Sequence, residues 1–221
     1  KANQVGNLFD TYKQNQSLKT QVADLSSSKN NQESLEVENK ELKEALKLQE
    51  TLTDYKSISA NVITRNPASW ADTLVIDSGS KQGIKNRQLV MANGGVIGRV
   101  SQVNENSSKV SLLSSDKGID AKIPVRLGSP SDPVNGLLAS YDDDQNAYVV
   151  TSLVGEGNIE KGSQVVTSGL GGDSPRGLLL GTVIDVKETD QGLNRKVYVK
   201  PASNLYDIRF VFVIQGMIGG N

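Results

Sequence analysis

From Ala2 to about Lys56 the chain contains no proline and only one glycine, Gly6, in a background of Lys, Glu, Gln, Leu and Ala. With both strong breakers nearly absent and good helix formers in excess, this stretch is predicted to be one continuous helix. Fully helical, it extends about 80 Å, given a rise of ~1.5 Å per residue. A rod of that length cannot bury an apolar stripe along its whole course against a small domain. Residues 1–57 are therefore set apart as a coiled-coil helix.

The apolar positions keep heptad spacing in two groups. Leu18, Val22 and Leu25 follow a 4–3 rhythm, as do Leu35, Asn39, Leu42 and Leu46, with Asn39 in the polar slot. The step from Leu25 to Leu35 is seven plus three residues, a stammer that locally overwinds a coiled coil. The intervening Ser26–Glu33 is polar and carries three consecutive serines. A third group, Leu48, Leu52 and Tyr55, leads towards the rest of the chain. The spacing favours a dimerising coiled coil, and Asn39 favours a defined two-stranded register. The alternative is a solvated single helix packed on its own domain near Leu48–Tyr55.

After Ser57 the pattern changes to short alternating runs separated by turn residues. Twelve strands are expected: Ile58–Arg65, Thr73–Ser78, Gln88–Ala92, Val96–Val103, Lys109–Leu113, Asp120–Arg126, Val134–Tyr141, Ala147–Leu153, Gln164–Ser168, Leu178–Val186, Arg195–Lys200 and Tyr206–Gln215. Short strands at regular intervals argue for barrels or a sandwich. Two six-stranded units follow, residues 58–135 and 136–221, with a boundary that a strand exchanged between them would move. The last run holds Ile208, Phe210, Val211, Phe212, Val213 and Ile214, so it is expected to be buried on both faces. It closes the second barrel or its seam with the first.

An internal repeat supports the two units. Val96-Ile97-Gly98-Arg99-Val100-Ser101-Gln102-Val103 aligns with Leu179-Leu180-Gly181-Thr182-Val183-Ile184-Asp185-Val186. Upstream, Ile84 followed by Leu89-Val90 echoes Ile159 followed by Val165-Val166. A glycine inside a strand marks a bulge, a bend or the close approach of another backbone, so Gly98 and Gly181 are read as barrel corners. The second copy differs in a long turn built from Gly169, Gly171, Gly172, Pro175 and Gly177.

Composition removes several classes of function. The chain has no His and no Cys, which excludes Ser-His-Asp and Cys-His catalysis, His/Cys zinc sites and disulfides within it. A net charge of −1 and few aromatics give no field or stacking platform for nucleic acid. No apolar run approaches the ~20 residues that span a bilayer. Because the chain begins abruptly at Lys1, a targeting or anchoring segment is expected to precede it.

Each local motif has a plainer structural explanation. Gly169–Gly172 follows a strand but precedes Asp173-Ser174-Pro175 and another strand, so no helix terminus awaits a phosphate. Asp142-Asp143-Asp144 lacks the spacing of a calcium loop and reads as a solvated hairpin tip. Ser168 would need a desolvated lysine beside it to act as a nucleophile, and nothing local arranges one. Trp70 is a candidate partner contact, with a structural staple at the start of the first barrel as the favoured alternative. Arg176 is a second candidate contact, set against a solvated turn charge.

Taken together, Asn66-Pro67, Trp70, Leu74-Val75-Ile76-Asp77, Gly95-Val96-Ile97-Gly98-Arg99-Val100, Thr167-Ser168-Gly169-Leu170-Gly171-Gly172, Pro175-Arg176-Gly177 and Gly181-Thr182-Val183 resemble the rod-shape-determining MreC family, its Gram-positive members in particular. Arg87 stands where that family commonly has Gly, and Ser174 where an aromatic is common.

The resemblance implies a mainly β fold: a long N-terminal α-helix, then two six-stranded β-barrel domains resembling chymotrypsin-like barrels. It implies a single-pass cell-membrane protein with this part outside the cytoplasm. The protein would organise lateral peptidoglycan synthesis, with MreD, MreB, RodA-type glycosyltransferases and penicillin-binding transpeptidases as partners. Homodimers are expected, and filaments templated by free strand edges. No cofactor and no enzymatic activity are expected. Two rivals stand beside this reading. A degenerate serine hydrolase would react with serine-directed probes, and an envelope transport adaptor would carry a second, antiparallel helical arm.

Overall fold

The computed structural model describes residues 2–51, 55–69, 72–115, 119, 122–172, 174–189 and 194–217. One helix, α1 (Ala2–Thr51), is followed by twelve strands. They are β1 (Tyr55–Thr64), β2 (Thr73–Ile76), β3 (Leu89–Ala92), β4 (Gly95–Val103), β5 (Ser108–Leu112), β6 (Ile123–Ser129), β7 (Asp132–Asp142), β8 (Ala147–Val154), β9 (Gln164–Thr167), β10 (Leu179–Thr189), β11 (Asn194–Pro201) and β12 (Phe210–Met217). Each of the twelve expected strands has a counterpart, though the last begins at Phe210 and leaves Tyr206–Arg209 outside it, and residues 120–121 of the sixth lie outside the described residues. The helix, however, stops short of Lys56. Tyr55, Lys56 and Ser57 already pair with Met217, Gly216 and Ile214, so Tyr55 belongs to the ladder and not to a third heptad group.

The strands close into two barrels, in the orders β1-β12-β3-β4-β5-β2 and β10-β11-β8-β7-β6-β9. This corrects the expected division at residue 135, which falls inside β7. The strand β6 pairs with β7 and β9 in the second barrel, and β12 lies between β1 and β3 in the first. Sequence order conceals the exchange because the long-range register, not proximity along the chain, decides strand partners. Closure also removes the sheet edges, so the edge-templated route to filaments has no template here.

The register shows how the two barrels correspond. Val90 faces Gly98 as Val165 faces Gly181, which places Val90 opposite Val165 and moves the sequence alignment of β3 with β9 by one residue. Arg87 N donates to Val100 O at 2.8 Å, and Gly162 N to Val183 O at 2.8 Å. Leu113 N donates to Ile97 O at 2.8 Å, and Ala202 N to Leu180 O at 3.0 Å. Phe212↔Met91 matches Arg126↔Val166. The second barrel thus uses β6 to β11 in order. The first is the same ring with its leading strand supplied from the far end of the chain.

Both barrels share one continuous hydrophobic core running from Ala60 to Ile214. The corresponding strands β4 and β10 lie against each other between them. A side-chain carbon at Gly95 would lie 2.8 Å from the Ala202 side chain. The bare glycine therefore lets the connection after β11 lie flat on the first barrel. As expected, Val211, Phe212, Val213 and Ile214 are all buried, but the run closes the first barrel and not the second, because its ladder partners are β1 and β3.

Candidate functional site

Two groups of residues were singled out from sequence, the helical stripe and the glycine turn. The described side chains of α1, residues 12–42, are almost all exposed. Leu18, Val22, Leu25, Leu35 and Leu42 expose 44–69 % of their surface, and Asn39 is exposed with them. The Leu46 side chain lies outside the described residues. Ten residues at ~100° each rotate the second apolar group by about −80° relative to the first, so overwinding must join them.

The polar stretch between the two groups is held only locally. Lys29 meets Glu33 at 4.0 Å with both side chains largely exposed, and Gln32 donates to Glu36 at 3.1 Å. Such exposed pairs contribute about 0.3–0.5 kcal/mol. A helix of this length with large aliphatic groups in water gains most from a partner.

The glycine turn is built around Thr167, which is fully buried. Its hydroxyl donates to Pro175 O at 2.5 Å and accepts from Leu178 N at 2.9 Å. Gly177 N donates to Thr167 O at 2.8 Å. Gly169, Gly171, Gly172 and Gly177 all have positive φ, which explains their residue type. Ser168 is occupied with the fold: its backbone N donates to Pro124 O, and its Oγ accepts from Leu170 N at 3.2 Å. Arg176 is exposed on the turn, packed across Gly169, and Leu170 stands exposed at the tip. Pro175 is half-buried.

Gly98 and Gly181 behave as corners. A carbon added at Gly98 would lie 2.4 Å from Ser111 O, and at Gly181 2.0 Å from Lys200 O. These carbonyls occupy equivalent places on β5 and β11. Trp70 lies outside the described residues. Asp142 Oδ1 accepts from Gln145 N at 3.0 Å at the β7–β8 tip, and Asp143 and Asp144 are exposed.

The seam between the barrels was not anticipated. The Arg65 guanidinium donates to Leu205 O and Tyr206 O, and Asn93 Nδ2 donates to Asp207 O at 3.1 Å. Burial lowers the Arg65 pKa, with Asp207 opposing. Tyr141 packs edge-on against Tyr148, with ring centroids 5.8 Å apart. Burial raises the Tyr141 pKa, helped by Tyr206, Asp143 and Asp142. Sequence reasoning also missed a groove of about 630 Å³ on the second barrel, between the β6–β7 hairpin and the segment leading into β9.

Comparison with known proteins agrees with this architecture. Residues 62–215 match the family described as "Rod shape-determining protein MreC, barrel core". The cell shape-determining protein MreC of Listeria monocytogenes is 34 % identical over 211 residues, spanning 96 % of this chain and 71 % of that protein. MreC of Bacillus subtilis is 33 % identical over 218 residues, spanning 95 % and 74 %.

Among solved structures, Listeria monocytogenes MreC superposes with a TM-score of 0.67 at 33 % identity, over 91 % of this chain and 95 % of that one. At 16 % identity and a TM-score of 0.52, the fold alone is shared with a chain from a complex between Penicillin-Binding Protein (PBP2) and MreC from Helicobacter pylori, over 72 % of this chain and 99 % of that one. Two permuted, glycine-cornered barrels after a heptad helix, matched over most of their length, establish that this chain belongs to the MreC family of rod shape-determining proteins.

Proposed function

We propose that this chain is a non-catalytic scaffold outside the cytoplasm that pairs through its helix and presents its barrels to the enzymes of lateral wall synthesis. It is a cell shape-determining protein, like its relatives. The observation that carries the pairing is the exposed heptad stripe from Leu18 to Leu42, large aliphatic groups in water along a helix with no internal partner for them. A penicillin-binding transpeptidase as partner is supported by the Helicobacter pylori complex. MreD, MreB and RodA-type glycosyltransferases belong to the same proposal through the family. So does a single-pass membrane anchor, which the family implies; among the described residues no helix is long and apolar enough to cross a membrane.

The rivals find less support. Ser168 spends its hydroxyl on Leu170 N, and the described residues contain one α-helix, without the returning arm of an adaptor. Sedimentation of the chain beside a Leu25→Glu/Leu35→Glu/Leu42→Glu variant tests the pairing. A dimer that the triple substitution converts to monomer, with unchanged barrel melting, is expected. An unmodified chain that stays monomeric at high micromolar concentration would falsify it.

A further inference from the structure

The heptad groups of α1 are successive copies of one 17-residue unit. Residues 4–20, 21–37 and 38–54 align without a gap. Val5, Val22 and Asn39 fall at one position, Leu8, Leu25 and Leu42 at a second, and Leu18, Leu35 and Leu52 at a third. The stammer between Leu25 and Leu35 is therefore a property of the repeat, and the same step separates Leu8 from Leu18. Among the described side chains the repeat yields two matching clusters, Leu18-Val22-Leu25 and Leu35-Asn39-Leu42. They lie one unit apart on a continuous helix, about 25 Å along its axis. All the side chains of both clusters are exposed, and the local pairs Lys29–Glu33 and Gln32–Glu36 sit outside them.

Such a repeat gives two copies of the helix more than one way to meet. In register, each cluster faces its own counterpart, and the helices must overwind to bring both clusters onto one seam. Shifted by one unit, the first cluster of one chain faces the second cluster of its neighbour. The leucines still meet, and no overwinding is required, because the two clusters of a chain then serve different neighbours. Each shifted pair leaves one cluster free on either chain, so the contact is heterologous and does not close on itself. One position opposes the shift. In register Asn39 meets the partner's Asn39, whereas the shift sets its amide against the partner's Val22, which offers no hydrogen bond.

We propose that α1 carries this second, staggered mode of association, one unit out of register, and that the mismatch of Asn39 with Val22 keeps it subordinate to the closed pair. The occupant of each cluster is a second copy of the same helix, because the repeat makes the two clusters match in spacing and, at every position but one, in residue type. The inference rests on the reading that the helix pairs with itself, and the test separates the two.

The chain contains no cysteine, so single introduced thiols report the register directly. Full chains carrying Gln21→Cys or Glu38→Cys, equivalent positions one unit apart, are mixed in equal amounts and treated with a bismaleimide shorter than one unit. The parent background should give like-with-like products. Asn39→Val and Val22→Asn each remove the mismatch, the first by making both clusters apolar and the second by placing an amide in both. Either should raise the mixed product about tenfold, with assemblies that grow past dimers on sedimentation as concentration rises. The exchange Val22→Asn/Asn39→Val restores the mismatch and should return like-with-like products. Like-with-like products in every background overturn the staggered mode and leave the pairing intact. Mixed products confined to dimers overturn it as well, since they mark an antiparallel pair, and mixed products that persist in the exchange variant remove the role of the mismatch. No product of either kind in any background defeats the pairing itself, and the staggered mode with it.

Discussion

The Tyr148 hydroxyl of the second barrel lies 3.4 Å from the Val96 carbonyl of the first, with both residues fully buried. A phenol at that seam holds its proton strongly: burial, with Tyr141 nearby, raises its pKa well above the ordinary 10.0. The unfolded chain ionises near the ordinary value. The stability linked to the retained proton is therefore complete below pH 10 and drains away as pH climbs towards the folded-state value. Tyr148→Phe should cost about 1 kcal/mol or less at neutral pH and should flatten the alkaline limb. Melting temperatures of both proteins between neutral pH and pH 11 measure this, and parallel alkaline limbs would contradict it.

Arg87 occupies the left-handed region at φ 70°, where its counterpart in the second barrel, Gly162, sits at φ 92°. Its side chain is exposed, while the strain lies in the backbone. Arg87→Gly should raise stability by about 1 kcal/mol, the typical cost of that conformation for a residue with a Cβ. Chemical denaturation decides this; an unchanged or lower midpoint would mean that the lost side-chain contacts outweigh the strain.

Gly98→Ala and Gly181→Ala each drive a methyl group into a neighbouring carbonyl, at 2.4 Å and 2.0 Å. Because the obstacle is backbone, it cannot swing aside. Losses of about 3 kcal/mol or more are expected, with Gly181→Ala the worse of the two. Thermal melts that place either variant within a degree of the parent would refute the corner assignment.

Two hydroxyls in the glycine turn should respond in opposite ways. Thr167→Val preserves shape but strands Pro175 O and Leu178 N, costing about 2–3 kcal/mol. Ser174 Oγ is buried with no hydrogen-bond partner, so Ser174→Ala should be neutral or stabilising by about 1 kcal/mol. Equal losses from both would show that the turn does not discriminate as described.

If the helix pairs as proposed, Asn39→Val should tighten self-association while loosening the preference for two strands. Sedimentation equilibrium distinguishes the cases: higher-order species are expected in the variant and absent from the parent. Weaker association would mean that Asn39 does not face the seam.

Local chemistry made much of this molecule legible. Pro-free helix, alternating strands and interior glycines all depend on residues within a few positions of one another, and Gly98 and Gly181 were identifiable as corners on that basis alone. What stayed hidden is decided at long range. The place of β12 beside β1 depends on a ladder joining Tyr55 to Met217. The shift of Val90 onto Val165 depends on registers that no local pattern encodes. Arg65, Asn93 and Tyr148 looked ordinary in sequence because each finds its partner dozens of residues away.

Of the twelve strands, β12 leaves the ribosome last, after eleven have had time to assemble around the vacancy between β1 and β3. Until then the first barrel is a cleft sheet while its sibling, whose strands are consecutive, can already shut. A product cut short by premature termination would keep that cleft and its sticky margins, marking it for proteolysis. Only chains translated through β12 acquire the sealed wall, so closure of the first barrel reports that its last strand has been made.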